Sequence, residues 1–598
     1  MPVFEYLRHT IVDELFIKSK ALFKMEFVTL VEGLVLVSNE FQSYEAQSGF
    51  IESLAKPVCD EFKSLEVHFS SPEAFMAFVF AGKPEQRAEV AFCLEFFVSL
   101  IRRASVPNDL LKCRTSGFID PSVGEVVALR NPAGGVACHI LGTVLKLTKT
   151  FIEMFKARQS PMYSKIFDML DIEKSNVHGS EECDNKHQAE AKLLPDEKRL
   201  QMFVFEQFEN LFNILAGFCS SIGHQFYKQP CLASALVSSV FQSIDNIPDY
   251  RMRPIIRLFL KSLVNKCPKT CFGEVLAPVL NQICPHMLNR LTEKWKQLIE
   301  ARESPNFDEN NTDSQEVIDD VVGRQLTREY LDVIKAILTS GGGSDLSLTG
   351  ASLSASSESL NKGNGGSNHL SLSELGYLVM RNDCLGQCIT LTLLRALNWP
   401  DSQASARASA LLEIVLPLLA SSDQMSSADA AQVMFNILQA LHTLGQHEMN
   451  SIALTQLSIL AYEQLRPRHA SVADVLAQVP GINAEDLKRF DDKVLMASGK
   501  ENGINSKDNN GNNGSNKASD RVLKTMFRKL IGNFVGKDVA QRFKKEVVIK
   551  NLPTLRLLNP RQKTPSLVED SNNEDIGITN LFANGTSPAK TRSTPFML

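Results

Sequence analysis

Apolar positions recur at helical spacing along almost the whole chain. Phe23, Phe27, Leu30 and Leu34 form one stripe, and Val433, Ile437, Leu441 and Leu444 another. Spacings of three and four place such residues on one face of an α-helix. Strand-like alternation between turn signals is scarce. Helix starts are marked as well. Ser71-Pro72-Glu73 puts a capping hydroxyl before a proline at the first helical position, and Ser373 precedes Glu374 and a long apolar pattern. Ser471 and Asp474 have capping-box spacing. The pattern predicts an all-α protein.

Many helices joined by short polar turns over several hundred residues predict an α-solenoid, a superhelix of HEAT-type antiparallel helix pairs with disordered inserts and tail. A set of separate helical bundles is the alternative. Repeats are expected over 1–338, with polar inserts near 176–196 and 303–320. A low-complexity Gly/Ser/Asn linker follows over 339–371, and repeats continue over 372–499. Residues 500–520 read as a disordered insert, 521–558 as basic C-terminal capping helices and 559–598 as a disordered tail.

Composition narrows the class. Apolar residues are 44% of the 598 and charged residues 22%, so large cores can form, and a net charge of −5 excludes a uniformly basic nucleic-acid binder. The twelve cysteines are too sparse for a secreted disulfide framework and read as reduced, mostly buried thiols. Met1-Pro2-Val3-Phe4 lacks the basic start of a signal peptide. Phe27 to Val37, the most apolar run, is too short to cross a bilayer and carries Glu32. No membrane partner is expected.

No catalytic motif stands in the chain: no Walker loop, no G-x-S-x-G and no H-E-x-x-H. Cys267/Cys271 and Cys384/Cys388 are each four apart but lack finger-like partners, so they read as core thiols. His286 follows the first pair without a partner histidine, and His442 and His447 read as surface or ordinary structural histidines. An enzyme, a metal site and a cofactor are not expected. Two basic features remain. Arg253, Arg257 and Lys261 fall on one stripe of a helix whose other side carries Ile256, Leu260 and Leu263. Such a line suits phosphates, and RNA duplexes are read mainly through backbone and shape; a solvated face, or pairing with acids on the next repeat, is the plainer reading. Arg521 to Lys550 carries nine Lys/Arg against Asp538 and Glu546. Leu523, Phe527, Leu530 and Phe534 form its apolar face beside Arg521, Lys524 and Arg528, with Lys544 and Lys545 further on. It reads as a capping helix that presents charge to RNA or an acidic partner.

Several blocks, taken in order, resemble the exportin-5 family of importin-β-type nuclear export receptors. They are GLVLVSNEFQSYE (33–45), DMLDIEKS (168–175), IDNIPDYRMRPIIRLFLKSLV (244–264), HMLNRLTEKWKQL (286–298), GRQLTREYLDVI (323–334), YEQLRPRHASVADVLAQVPGINAEDLKRFDDKVL (462–495) and FRKLIGNFVGKDVAQRFKKEVVIKNLPTL (527–555). The resemblance covers the C-terminal half of the family pattern. It implies that Met1 falls in mid-solenoid, and that the chain is a fragment, a truncated gene model or a short isoform lacking the main Ran-GTP contact. It further implies double-stranded RNA hairpins such as microRNA precursors, and tRNA, as cargo, nucleoporins as partners, and shuttling between nucleus and cytoplasm. A basic tunnel for the RNA overhang would lie near the first hairpin, where Lys18, Lys20 and Lys24 would form its edge. The competing class is a helical-repeat scaffold or adaptor that binds proteins without RNA.

Overall fold

The computed structural model describes residues 2–18, 22–120, 128–171, 173–174, 196–304, 314–339, 371–422, 425–501, 513–532 and 534–535. The chain divides into two units, Met1–Phe543 and Lys544–Leu598. The second lies wholly outside the described residues.

The first unit is an all-α solenoid. Its stack is built from α1 (Lys24–Ser38), α2 (Tyr44–Ser64), α3 (Pro84–Arg103), α4 (Gly134–Met154), α5 (Asp196–Gly217), α6 (Leu232–Leu236 with a π-helical continuation, Val237–Phe241), α7 (Asp249–Pro254, π-helical Ile255–Leu260 and Lys261–Lys266) and α8 (Ala277–Glu303). It continues through α9 (Gln315–Leu338), α10 (Asp383–Asn398), α11 (Ser402–Ser421), α12 (Ser427–Leu444), α13 (Glu448–Leu465), α14 (Ser471–Ala477), α15 (Ala484–Glu501) and α16 (Asn513–Ile531). Among the described residues there is no strand, only isolated bridges at Ile119–Leu129 and Thr339–Leu372.

The contacts sort these helices into two rows. Odd-numbered helices pack on one another in order, α1 on α3, α3 on α5, α5 on α7, α7 on α9, α9 on α11 and α11 on α13. Even-numbered helices do the same from α2 to α14. A helix buries only one stripe, so two rows facing each other hide both stripes in one elongated core. One continuous apolar cluster accordingly runs from Val12 to Ile531.

Most expected local signals are used. Ser71 accepts from the Ala74 amide with Pro72 in the first turn, and Ser373 accepts from the Gly376 amide. Ser471 does not cap: Ala470 holds that position, and the Ser471 hydroxyl donates to the Ser427 carbonyl on α12 instead. Val433, Ile437, Leu441 and Leu444 are all buried, whereas Phe23 and Leu30 of the first stripe are exposed. Val28 and Val31 take their place beside Phe27 and Leu34.

Two boundaries differ from expectation. Helix α9 starts at Gln315, inside the 303–320 insert, because Ser314 caps it and Asp320 is drawn into the core by Arg302 and Arg324. Helix α16 starts at Asn513, inside the 500–520 insert. Two helical stretches, Gly134–Gln159 and Ser402–Ser421, are long and apolar enough to span a bilayer although none was expected. Both bury much of that surface against neighbours, 67% and 50% respectively, in the manner of core helices. Residues 175–195, 305–313, 340–370, 502–512 and 536–598, which hold the cores of the expected inserts, linker and tail, lie outside the described residues.

Candidate nucleic-acid interface

The basic stripe sits on α7, and that helix is not the unbroken one the sequence implies. Ile244–Asn246 forms a separate short turn, and helix starts at Asp249. Pro254 lies inside α7 and has no N–H to give, and the next residues, Ile255–Leu260, run in the wider π-helical path. Ile256, Leu260 and Leu263 are fully buried, as the apolar stripe requires.

Each stripe cation meets a carboxylate on an adjacent helix of the odd row. Arg253 donates to both oxygens of Glu329 on α9, at 2.8 and 3.1 Å. Arg257 lies 3.8 Å from Glu209 on α5, and Lys261 lies 4.0 Å from Asp332 on α9. The three are not equivalent. Arg253 is 21% exposed and bidentate, whereas the Arg257 and Lys261 side chains are 49% and 43% exposed at the long limit of ion pairing. Arg253 therefore ties repeats together, and the other two keep a solvent face. Burial pushes the Glu209 carboxyl up, with Arg257 pulling it back down.

The sequence reading missed Arg407 on α11. Its guanidinium lies 3.1 Å from the other oxygen of Asp332, and its side chain is 40% exposed. Asp332 thus bridges α7 and α11 from α9. The partner acids Glu329 and Asp332 stand three apart within the GRQLTREYLDVI block, a spacing that puts both on one helix face and was the available signal. Arg251, which no stripe includes, is buried and paired with Glu173.

The remaining candidates are scattered. Lys24 is clamped between α2 and α3, 3.0 Å from Glu61 and 4.9 Å above the Phe92 ring. Lys20, Lys544 and Lys545 lie outside the described residues, as does the side chain of Lys18. On α16, Leu523, Phe527 and Leu530 are buried against the stack, while Arg521 and Arg528 are exposed and Lys524 is half-buried. Lys529 reaches Asp486 on α15 at 3.6 Å. The described residues therefore gather Arg253, Arg257 and Lys261 with Arg407, and leave the α16 cations at a separate place in the sequence of repeats.

Among the described residues, no cluster of three or more His, Cys, Asp or Glu is arranged to hold a metal. Cys267 and Cys271 are buried, as expected, and burial pushes the Cys267 thiol up. Cys384 is exposed, against the core expectation, because it opens the solvent side of α10. His286 lies 3.0 Å from Asp245, and burial, with Arg290 beside it, holds its imidazole below the usual range. His442 donates through Nδ1 to the Phe534 carbonyl at 2.7 Å.

A model of the Exportin-5 family matches residues 1–531. The chain belongs to the exportin-5 family. It is 30% identical to Exportin-5 of Homo sapiens over 613 aligned residues, covering 97% of the chain and 48% of that protein. The same values hold for Exportin-5 of Mus musculus. Exportin-5 of Dictyostelium discoideum is 21% identical over 356 residues, covering 56% of the chain and 30% of that protein. The chain thus spans about half the length of the mammalian relatives it matches. The odd-row ladder of α5, α7, α9 and α11 lies wholly within the family match.

Proposed function

We propose that the chain serves nuclear export of structured RNA, as a transport receptor and not as an enzyme. Its cargo is double-stranded RNA hairpins such as microRNA precursors, and tRNA. Its complex depends on Ran-GTP, nucleoporins carry it through the pore, and it shuttles between nucleus and cytoplasm. Family membership over residues 1–531 is the observation that carries this reading. The half-exposed cations of the odd row support the RNA part. An A-form duplex offers closely spaced phosphates and a sequence-independent outline, so a line of cations along a helical stack binds it without base contacts.

A filter-binding titration with a short RNA hairpin tests the reading. Affinity should fall steeply between about 50 and 200 mM salt. Arg257→Glu combined with Lys261→Glu should weaken every hairpin alike and flatten the salt slope by about one per lost phosphate contact. Salt-independent binding, or an unchanged affinity in the double variant, would overturn the assignment of this surface. A second reading, a helical-repeat scaffold for protein partners, draws on the full pairing of Arg253 with Glu329. Absence of hairpin binding in the same titration would select it.

A further inference from the structure

We infer that Glu209 and Asp332 are built-in competitors of the RNA backbone, and that they set how strongly the odd row holds phosphate. The inference rests on the proposed RNA reading of this surface and names the residues that tune it. Three half-exposed cations, Arg257, Lys261 and Arg407, share two carboxylates, Glu209 and Asp332, whose side chains are 32% and 37% exposed. Two of these contacts, at 3.8 and 4.0 Å, are long, and none is the bidentate pair seen at Arg253. Exposed ion pairs of that kind are weak and screened by salt.

A phosphate row can displace such carboxylates, because a duplex brings dense charge and releases counterions on binding. The Arg253–Glu329 and Arg328–Asp401 pairs, shorter and less exposed, keep α7, α9 and α11 together while the exchange takes place. Asp332 holds two cations at once, Lys261 at 4.0 Å and Arg407 at 3.1 Å. Its competition is therefore the stronger of the two. A single short anion gains little from the exchange, whereas a duplex engages all three cations together, so the carboxylates also discriminate by charge density.

Removing the competitors tests this directly. Glu209→Gln should raise hairpin affinity roughly 1.5–5-fold, and Asp332→Asn more, up to about tenfold, both in low salt. The amide oxygen introduced by Asp332→Asn can still accept from Arg407, so the fold should persist, and urea melts verify that. Adding Lys261→Gln to Asp332→Asn should cancel part of the gain, since the freed cation is gone. Glu485→Gln, an exposed acid on α15, controls for net charge and should change affinity little. An unchanged or weaker affinity in Asp332→Asn, with wild-type binding intact, overturns the inference alone. An equal gain in Glu485→Gln does so too, as it would show a bulk charge effect. Failure of the wild-type chain to bind the hairpin overturns the RNA reading and the inference together.

Discussion

The N-terminal and middle parts of the stack share one apolar core but differ in the side-chain contacts that join their helices. Between α1 and α5 aromatic contacts recur, beside ion pairs such as Lys24–Glu61 at 3.0 Å. Phe27 stacks on Phe96 at 6.1 Å, Phe62 meets Phe97 at 5.3 Å, Phe75 meets Phe151 at 5.2 Å and Phe155, just after α4, meets Phe208 on α5 at 5.4 Å. Between α7 and α11 the odd row is stitched by charge: Arg253 to Glu329 at 2.8 Å, Arg328 to Asp401 at 2.8 Å and Arg407 to Asp332 at 3.1 Å. Apolar burial is non-directional, insensitive to moderate salt and unavailable to a polyanion. Ion pairs near the surface are weak, screened and exchangeable. The apolar core runs through both regions, and the exchangeable cations of the odd row gather in the second.

The largest expected effect breaks the aromatic side. Phe97 is fully buried between Phe62 and Phe96, so Phe97→Ala should cost about 3–5 kcal/mol in urea melts, with little change between low and high salt. A marked salt dependence of that loss would contradict the division. Next comes the buried end of the charged side. The Asp401 side chain is 2% exposed, accepts from Arg328 at 2.8 Å through both oxygens and caps α11 through the Gln403 amide. Asp401→Ala leaves a half-buried guanidinium uncompensated and should cost about 3 kcal/mol. A loss below about 1 kcal/mol would show that water replaces the carboxylate.

Exposed pairs sharpen the contrast at the small end. Arg257→Ala should cost at most about 1 kcal/mol of stability in urea melts, in contrast to its effect on RNA. Smallest is a pH effect at His286. Burial lowers its pKa in the folded state, so the unfolded chain binds the proton more readily. Its contribution to stability is present above the unfolded value, about 6.5, and is lost as pH falls through that value towards the folded one. His286→Gln should flatten that slope; an unchanged slope would show that other groups set it.

The sequence discloses the fold wherever a stripe is completed by the element on which it packs. Val433, Ile437, Leu441 and Leu444 were legible because α12 packs on both rows, and the periodic face is the buried face. Phe23 and Leu30 misled because Phe23 precedes α1 and Leu30 lies on its exposed side, and periodicity does not distinguish an exposed apolar residue from a buried one. The π-helical turn of α7 was invisible for a related reason: Pro254 announces an interruption but not its form. The stripe of Arg253, Arg257 and Lys261 was legible as a line of charge. Its partners on α5 and α9 were not, since pairing between repeats depends on distances that spacing within one helix does not encode. Arg407 stayed hidden on those grounds, the lone cation of its helix, with its partners, Asp332 and the Arg328 carbonyl, both on α9.

Hydrogen–deuterium exchange with and without a short RNA hairpin tests the central claim most directly. Protection should rise along α7, α9 and α11 in low salt and vanish in high salt, while the aromatic junctions of α1 to α5 exchange alike in both states. Protection centred on the aromatic end, or none at α7 while the hairpin is bound, would contradict the account.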